Sequence, residues 1–349
     1  MTESTDEDEM RDRYDQSFSR RSLLQRCTFV AGATLSACGV GVDSGSDRAV
    51  EAPDNSYVTA PPLPPFTPPP ELDLIGAGRV ELPMAAGATL YYWDTGGDGD
   101  AIVMVHAGTG SAYVWAYQQQ TFAEAGYRVV AYSRRGYRGS APGPVDDSNR
   151  ALDGSGRPLD DIEALVTQLG LERFHLLGHA AGGGIANGYI KEHADRILTS
   201  VSVAALQNIA DEDWTIPMNS IRVPGSAADV GTFNANPAEL RELGPSYRWA
   251  NPDGLAAWVE LEHGNRPVSV AHPPGVEVSW ADIESRMFPT LLIAGDADLY
   301  APPSMYRYLH SRVPGSELHV IPEAGHSVYW ERPETFNHLV LDFLDRHSV

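Results

Sequence analysis

The chain has 349 residues, and its 47 acidic side chains exceed its 25 lysines and arginines to give a formal net charge of −22 at pH 7. This length suits one large domain with an extension, because a single α/β domain commonly uses roughly 250 residues. The acidic surplus repels a phosphate backbone, so we exclude nucleic acid as a partner. The two cysteines, Cys27 and Cys38, lie near the N-terminus, which excludes a disulfide or a cysteine nucleophile from the rest of the chain.

The N-terminal segment has the layout of an export signal. Arg20 and Arg21 precede a short apolar run that ends in the small residues of LSAC, at 35–38. That run is too short to span a bilayer core of roughly 30 Å. The paired arginines resemble a twin-arginine signal, and LSAC resembles a bacterial lipobox, whose cysteine carries the lipid. We therefore predict a signal peptide at 1–37, lipid attachment at Cys38, and an exported, membrane-anchored lipoprotein of the bacterial cell envelope.

Residues 38–73 contain clustered prolines, which cannot continue a helix or a central strand and which favour an extended polyproline conformation. We predict that this segment is a stiff tether between the lipid anchor and a folded body at 74–349.

The body alternates short apolar segments with longer amphipathic ones. We predict strands at 89–95, 101–108, 127–133, 173–179, 196–206, 289–296 and 316–322. We predict helices at 114–126, 159–170, 181–194, 237–249, 253–264, 302–313 and 333–347. The apolar strands lack polar alternation, as strands buried on both faces do. The pattern predicts an α/β fold with a mostly parallel, eight-stranded sheet flanked by helices.

The alternation breaks between about Gln207 and Arg286, in a segment with several prolines and tryptophans. An insertion after the sixth strand, followed by two more strands and a last helix, indicates a cap over the sheet. We predict this cap at about 207–286. A capped pocket rich in aromatic residues such as Trp249, Trp258 and Trp330 would suit either catalysis or binding.

Residues 176–184, LLGHAAGGG, have the context of a nucleophile elbow without its nucleophile. A predicted strand leads through a tight turn into a helix, and Gly178 and Gly182 flank the centre as in a G-x-S-x-G motif. The central residue is Ala180, whose methyl group cannot attack a substrate. The alternative is a glycine-rich turn of another doubly wound fold, which binds phosphate at a helix N-terminus.

An acid and a histidine follow the elbow in the chain order typical of hydrolase triads. Asp298 follows a buried strand and precedes a helix that begins with proline, so its carboxylate is expected at the carboxyl edge of the sheet. Asp296 is the rival acid. His326 lies between the last strand and the final helix, and we predict that it is the catalytic base.

The segment 105–115, VHAGTGSAYVW, follows a predicted strand and supplies a glycine-rich loop. The backbone N–H groups near Gly108 and of Ala181 are candidates for an oxyanion hole, in which each donor contributes roughly 3 kcal/mol of transition-state stabilisation.

These segments, in this order, resemble the α/β-hydrolase superfamily from about Leu74 to Val349. The resemblance implies an α/β-hydrolase fold, His326 as the base, Asp298 as its orienting acid, and Gly108 and Ala181 as oxyanion donors. The sequence has no motif for a metal or an organic cofactor, and we predict none. Ser133 stands where relatives often have aspartate. The superfamily also includes aminoacrylate hydrolases of pyrimidine degradation, whose elbow carries alanine, so Ala180 is compatible with catalysis.

Several functions fit this site. The first is hydrolysis of a small-molecule ester, lactone, activated amide or C–X bond, with His326 and Asp298 as a general base pair and no acyl-enzyme. The alternatives are a catalytically inactive, pocket-binding lipoprotein, a serine esterase carrying a Ser→Ala substitution, and an enzyme with a displaced nucleophile. The candidates for that nucleophile are Ser111, Ser133 and Thr109, and the hydroxyl must lie within about 3 Å of His326 Nε2.

Overall fold

The computed structural model describes residues 63–83, 87–143, 157–220, 230–265 and 276–348. The predicted signal peptide at 1–37, the lipidation site Cys38 and the first part of the predicted tether lie outside these residues. Within the described ranges, no helix has both the length and the apolar content needed to cross a membrane.

A single sheet organises the described part of the chain. Its strands are β1 (Gly78–Glu81), β2 (Ala88–Asp94), β3 (Ala101–Val105), β4 (Arg128–Ser133), β5 (Ala141–Pro142), β6 (Phe174–His179), β7 (Ile197–Val203), β8 (Thr290–Gly295) and β9 (Glu317–Ile321). The order is β1-β2-β4-β3-β6-β7-β8-β9, with the two-residue β5 paired to β2. The pairings of β2 are antiparallel, and those from β4 through β9 are parallel. The predicted mostly parallel sheet is therefore confirmed, with eight strands in its main path.

Twelve α-helices lie in the described residues. They are α1 (Ala116–Glu124), α2 (Pro158–Gln168), α3 (Ala181–His193), α4 (Glu212–Ser220), α5 (Val230–Ala235), α6 (Ala238–Glu242), α7 (Pro245–Ala250), α8 (Pro252–Asn265), α9 (Trp280–Glu284), α10 (Pro303–Arg312), α11 (Val328–Glu331) and α12 (Pro333–Asp345). Short 3₁₀ turns occupy Ala112–Trp115 and Ala194–Arg196.

The central strands are apolar because both faces of the sheet are covered. In β3, Ile102 and Met104 belong to one buried cluster, together with side chains of α12 such as Phe343. The alternate residues Val103 and Val105 belong to the opposite cluster, which includes side chains of α2 and α3. Successive side chains of a strand point to opposite faces, so one five-residue apolar run supplies both cores.

The chain between β7 and β8 supplies helices α4 to α9, which lie within the predicted cap at 207–286. Strands β3, β6, β8 and β9 run parallel, so the loops that leave their carboxyl ends gather at one edge of the sheet. Those four loops carry Gly108, Ala180, Asp298 and His326. The topology therefore brings the predicted site residues to one place.

The described end of the predicted tether contacts the body. Leu63, Phe66 and Leu72 pack against the core cluster that contains Trp330, and the rings of Phe66 and Trp330 have centroids 6.3 Å apart. The side chain of Gln119, on α1, donates to the carbonyl of Asp73 at 2.8 Å. Residues 63–73 thus pack on the body, and the role of 38–73 as a tether stays a prediction.

Candidate active site

The turn between β6 and α3 holds Ala180 in a strained conformation. Its φ is 50° and its ψ is −117°, and a positive φ is uncommon for a residue with a Cβ. Three backbone hydrogen bonds hold the turn, from Ala180 N to Val203 O at 3.0 Å, and to Ala180 O from Gly183 N at 3.0 Å and Leu206 N at 3.2 Å. Strain of this kind persists only where the surroundings enforce it, and it is common at active sites. The backbone is therefore that of a nucleophile elbow, although its side chain is a methyl group.

The two glycines that flank Ala180 are required by close backbone contacts. A Cβ at Gly182 would lie 2.3 Å from the carbonyl oxygen of Val105, and one at Gly178 would lie 2.7 Å from Cα of Gly183. Neither contact can be relieved by moving a side chain. These glycines allow α3 to start directly against β3 and β6, which places the elbow at the sheet edge.

Asp298 and His326 form the predicted pair. Nδ1 of His326 lies 3.0 Å from Oδ1 and 2.9 Å from Oδ2 of Asp298, and both side chains are buried. The carboxylate accepts further hydrogen bonds from the N–H groups of Tyr300 at 2.7 Å and Ala301 at 3.0 Å, which fix its position. The rival, Asp296, is exposed. Because Nδ1 faces the carboxylate, Nε2 is the nitrogen left for proton transfer in the site.

His326 is held from several sides. The backbone N–H of His326 donates to the backbone carbonyl of Glu242 at 2.7 Å, and the backbone carbonyl of His326 accepts from Nε2 of His179 at 2.9 Å. Burial lowers the pKa of His326, but the charges of Asp298 and Glu242 act in the opposite sense, and the pKa lies above its ordinary value. The pKa of His179 lies well below its usual range because the ring is buried and beside His326. His179 is therefore a neutral donor that positions the histidine turn.

The loop after β3 carries the first proposed oxyanion donor, Gly108. It is supported by His106, whose Nδ1 donates to Ala107 O at 2.7 Å and whose Nε2 accepts from Arg134 N at 2.9 Å. The guanidinium of Arg134 also donates to Ala107 O at 3.0 Å. The second proposed donor, Ala181, is the first residue of α3, where an amide has no intrahelical partner. These supports keep the loop beside the elbow.

A cavity of about 400 Å³ opens beside His326. Its size is typical of sites for small molecules. It is lined by Gly108, Thr109, Ala180, Ala181, Leu206, Asn234, Arg241, Glu242, Glu262, Tyr300 and His326. The structure thus brings the elbow, both proposed oxyanion residues and the histidine to one cavity wall, with Asp298 directly behind His326.

The proposed displaced nucleophiles are engaged elsewhere. Ser111 donates from Oγ to Asn265 Oδ1 at 2.6 Å and accepts from Tyr113 N at 3.2 Å. Ser133 accepts from Ala112 N at 3.1 Å, and so it holds the start of the 3₁₀ turn. Both serines are fully buried, and both fix the local loop structure. Thr109 lines the cavity, but its hydroxyl donates to Glu242 Oε1 at 3.2 Å rather than to His326.

The expectation of an aromatic pocket is wrong for the three tryptophans. Trp258 and Trp330 are part of the buried core, and Trp249 is 88% exposed. Polar and charged residues of the cap take their place in the cavity wall, among them Arg241 and Glu242. Short helices such as α6 show no clear apolar period, so the sequence carried no signal for which of their residues face the site.

Comparisons with known proteins agree with this geometry. A model of the alpha/beta hydrolase family matches residues 102–339. A Caulobacter sp. (strain K31) protein assigned as the carbamate hydrolase RutD is 30% identical over 267 residues, which are 71% of this chain and 91% of that protein. A 2-hydroxy-6-oxononadienedioate/2-hydroxy-6-oxononatrienedioate hydrolase of Comamonas testosteroni is 26% identical and covers 71% of this chain and 88% of its own.

The solved structure of Est816, described as an N-acyl homoserine lactone degrading enzyme, is 25% identical and has a TM-score of 0.61. The match covers 76% of this chain and all (100%) of that one. With the strained elbow, the Asp298 and His326 pair and a family match over most of its length, this chain belongs to the alpha/beta hydrolase family.

Proposed function

We propose that this protein hydrolyses a small-molecule ester, lactone, activated amide or related C–X bond by direct attack of water. The observation that carries the proposal is the pair of His326 and Asp298, joined at 2.9 Å, at a cavity whose elbow wall is the methyl group of Ala180. A buried pair in this arrangement retains the base of a hydrolase triad. Alanine in place of serine removes the covalent route and leaves the space of one oxygen atom for a water molecule.

For a carbonyl substrate, the reaction follows from the position of these groups. Water adds to the carbonyl carbon while Nε2 of His326 takes one of its protons. The resulting oxyanion is stabilised by the backbone amides of Gly108 and Ala181. The bond to the leaving group then breaks, and the imidazolium of His326 returns the proton to that group. One water is consumed, and an acid and an alcohol or amine are released.

General base catalysis alone contributes roughly a hundred- to ten-thousand-fold. An activated bond is therefore the expected substrate, because its uncatalysed barrier is lower. The names of the relatives support the hydrolase class: one is assigned as a carbamate hydrolase and one is described as degrading N-acyl homoserine lactone. The polar wall of the cavity, with Arg241, Glu242 and Glu262, favours a small polar substrate over a long acyl chain.

The test is a panel of activated esters, lactones and amides assayed with the wild-type enzyme and with His326→Ala. We expect hydrolysis by the wild type and a loss of about a hundredfold or more in the variant. His338→Ala is the matched control, because His338 is an exposed histidine of α12. No turnover of any panel member would favour a binding protein. Unchanged turnover by His326→Ala would overturn the mechanism.

We also propose export and lipid attachment at Cys38, on the strength of the paired arginines and LSAC at 35–38. Expression in a bacterial host should give a membrane-associated protein whose N-terminal peptide begins at Cys38 with a lipid mass. Cys38→Ala should release the protein from the membrane. An unmodified N-terminus upstream of Cys38 would contradict this proposal and would leave the proposed reaction intact.

A further inference from the structure

Glu242 is a buried carboxyl group that the proposed reaction does not use. It is the last residue of α6 in the cap, it is 3% exposed, and it lines the cavity. Its Oε1 accepts from Thr109 Oγ1 at 3.2 Å and its Oε2 accepts from Ser327 Oγ at 3.3 Å. The carboxyl group therefore bridges the loop that carries Gly108 and the turn that carries His326.

The backbone of Glu242 has a separate task. Its carbonyl accepts hydrogen bonds from the N–H groups of His326 at 2.7 Å and Ser327 at 3.1 Å. The main chain of the residue thus holds the histidine turn, whereas its side chain adds a carboxyl group to the cavity that His326 also lines. A substitution that keeps the backbone and changes only the charge can separate these two effects.

The side chain of the neighbouring Arg241 hydrogen-bonds to groups other than Glu242. Arg241 donates from Nε to the carbonyl of Asn236 at 2.9 Å, and its guanidinium also donates to the hydroxyl of Tyr300. A buried carboxylate is stable only with a compensating charge or sufficient hydrogen bonds. The imidazolium of His326 is the compensating charge that the site itself creates during a reaction.

We propose that Glu242 is a second carboxylate partner of His326, which acts from the cap and stabilises the imidazolium formed when His326 takes a proton from water. Glu242 is in this sense a positioning residue, because it acts through His326, and the inference rests on the proposed function. Asp298 supplies charge at Nδ1 from the sheet edge, and Glu242 supplies it from the cap. Water is a very weak acid, so a more basic histidine makes its deprotonation easier.

Several other groups act on the same imidazole and must stay unchanged in a test. They are Asp298 behind Nδ1, the ring of Tyr300 at 4.5 Å, the ring of His179 at 5.1 Å, and the carboxyl group of Glu331. Burial raises the pKa of Glu242 above its ordinary value, although the charges of His326 and Arg241 act in the opposite sense.

The variant Glu242→Gln tests the charge, because the amide oxygen still accepts a hydrogen bond and the backbone carbonyl is untouched. The matched control is Glu239→Gln, which removes a charge from the same helix at a position outside the cavity. The imidazole signals of ¹⁵N-histidine-labelled protein are titrated by NMR, and His326 is identified by the signal missing in His326→Gln. The pH profile of kcat/KM is measured in parallel.

We expect the pKa of His326 to fall by on the order of one unit in Glu242→Gln, and the acid limb of kcat/KM to move to lower pH by the same amount. Glu239→Gln should leave both unchanged, and Glu242→Asp should restore part of the shift. Equal pKa values in wild type and Glu242→Gln would overturn the inference, as would an equal shift in the control. If Glu242→Gln does not fold, a wild-type His326 with a pKa below about 6.5 overturns it instead.

The NMR titration does not depend on turnover. A shifted pKa in a wild-type protein that hydrolyses nothing would preserve the pairing of Glu242 with His326 and would overturn the proposed hydrolysis alone. If turnover depends on His326 but Glu242→Gln leaves the pKa of His326 unchanged, the proposed hydrolysis stands and the pairing of Glu242 with His326 is overturned.

Discussion

Asp298→Asn removes the charge behind His326 without changing the size of the side chain. In the wild type both oxygens of Asp298 lie within 3.0 Å of Nδ1, and the two side chains are 0% and 2% exposed. At a charge separation of about 4 Å and an effective dielectric constant of about 20, the attraction between carboxylate and imidazolium is about 4 kcal/mol. If that attraction is realised only when His326 is protonated, its loss costs about a thousandfold in rate.

The assay is kcat/KM for the best panel substrate over the full pH range, with wild type and Asp298→Asn side by side. We expect a fall of about a thousandfold on the plateau and an acid limb at lower pH, because the less basic imidazole loses its proton earlier. Asp296→Asn is the control, since its side chain is exposed and does not contact His326. A loss below about tenfold in Asp298→Asn, or an equal loss in the control, would refute the pair as the source of catalysis.

Further predictions concern the elbow, the core and the tether. Ala180→Ser should create a site that a fluorophosphonate probe labels, while the wild type stays unlabelled; the reverse result would point to another nucleophile. Gly182→Ala should cost about 3 kcal/mol of unfolding free energy in chemical denaturation, since its Cβ would lie 2.3 Å from a backbone oxygen. Phe66→Ala should cost about 1–2 kcal/mol through its contact with Trp330, and no loss would mean that residues 63–73 do not pack on the body. Burial raises the pKa of Glu331 to about 8 from the ordinary 4.5, so the folded state binds this proton more tightly than the unfolded state does. The melting temperature of the wild type should therefore fall as the pH rises from about 4.5 to about 8, and this fall should be smaller in Glu331→Gln.

The central strands of the sheet could be predicted because the signal for each one lies in a short run of consecutive residues. Runs such as AIVMV are apolar at every position, and only a strand covered on both faces requires that. The strand β1, GRVE, has one buried side chain among four residues, and β5 is only two residues long. Neither segment is long or periodic enough to be predicted as a strand. Both form strands by pairing with β2, which follows β1 and precedes β5 in the chain.

The pair of Asp298 and His326 could be predicted because each residue follows an apolar strand, and parallel strands end at a common edge. The roles of His179, Glu242 and Glu331 could not be predicted in this way. Their roles depend on hydrogen bonds between residues far apart in the chain, such as His179 Nε2 to His326 O, His326 N to Glu242 O and Gly244 N to Glu331 Oε2. No spacing in the sequence encodes those contacts.

For the proline-rich segment, the sequence predicts the backbone conformation but not the packing. Its composition correctly excludes helix and central strand, and residues 63–73 have neither. Composition alone does not say whether an extended segment is free or packed. That outcome depends on a few apolar side chains, Leu63, Phe66 and Leu72, that meet a surface formed by the body.

The most direct test of the central claim is intact-protein mass spectrometry on the wild-type enzyme, quenched during turnover of an activated ester. Attack by water activated at His326 predicts an unmodified protein mass throughout turnover, with Ala180→Ser accumulating an acyl adduct under the same conditions. An acyl adduct on the wild-type enzyme, mapped to Thr109, Ser111, Ser133 or any other side chain, would contradict it.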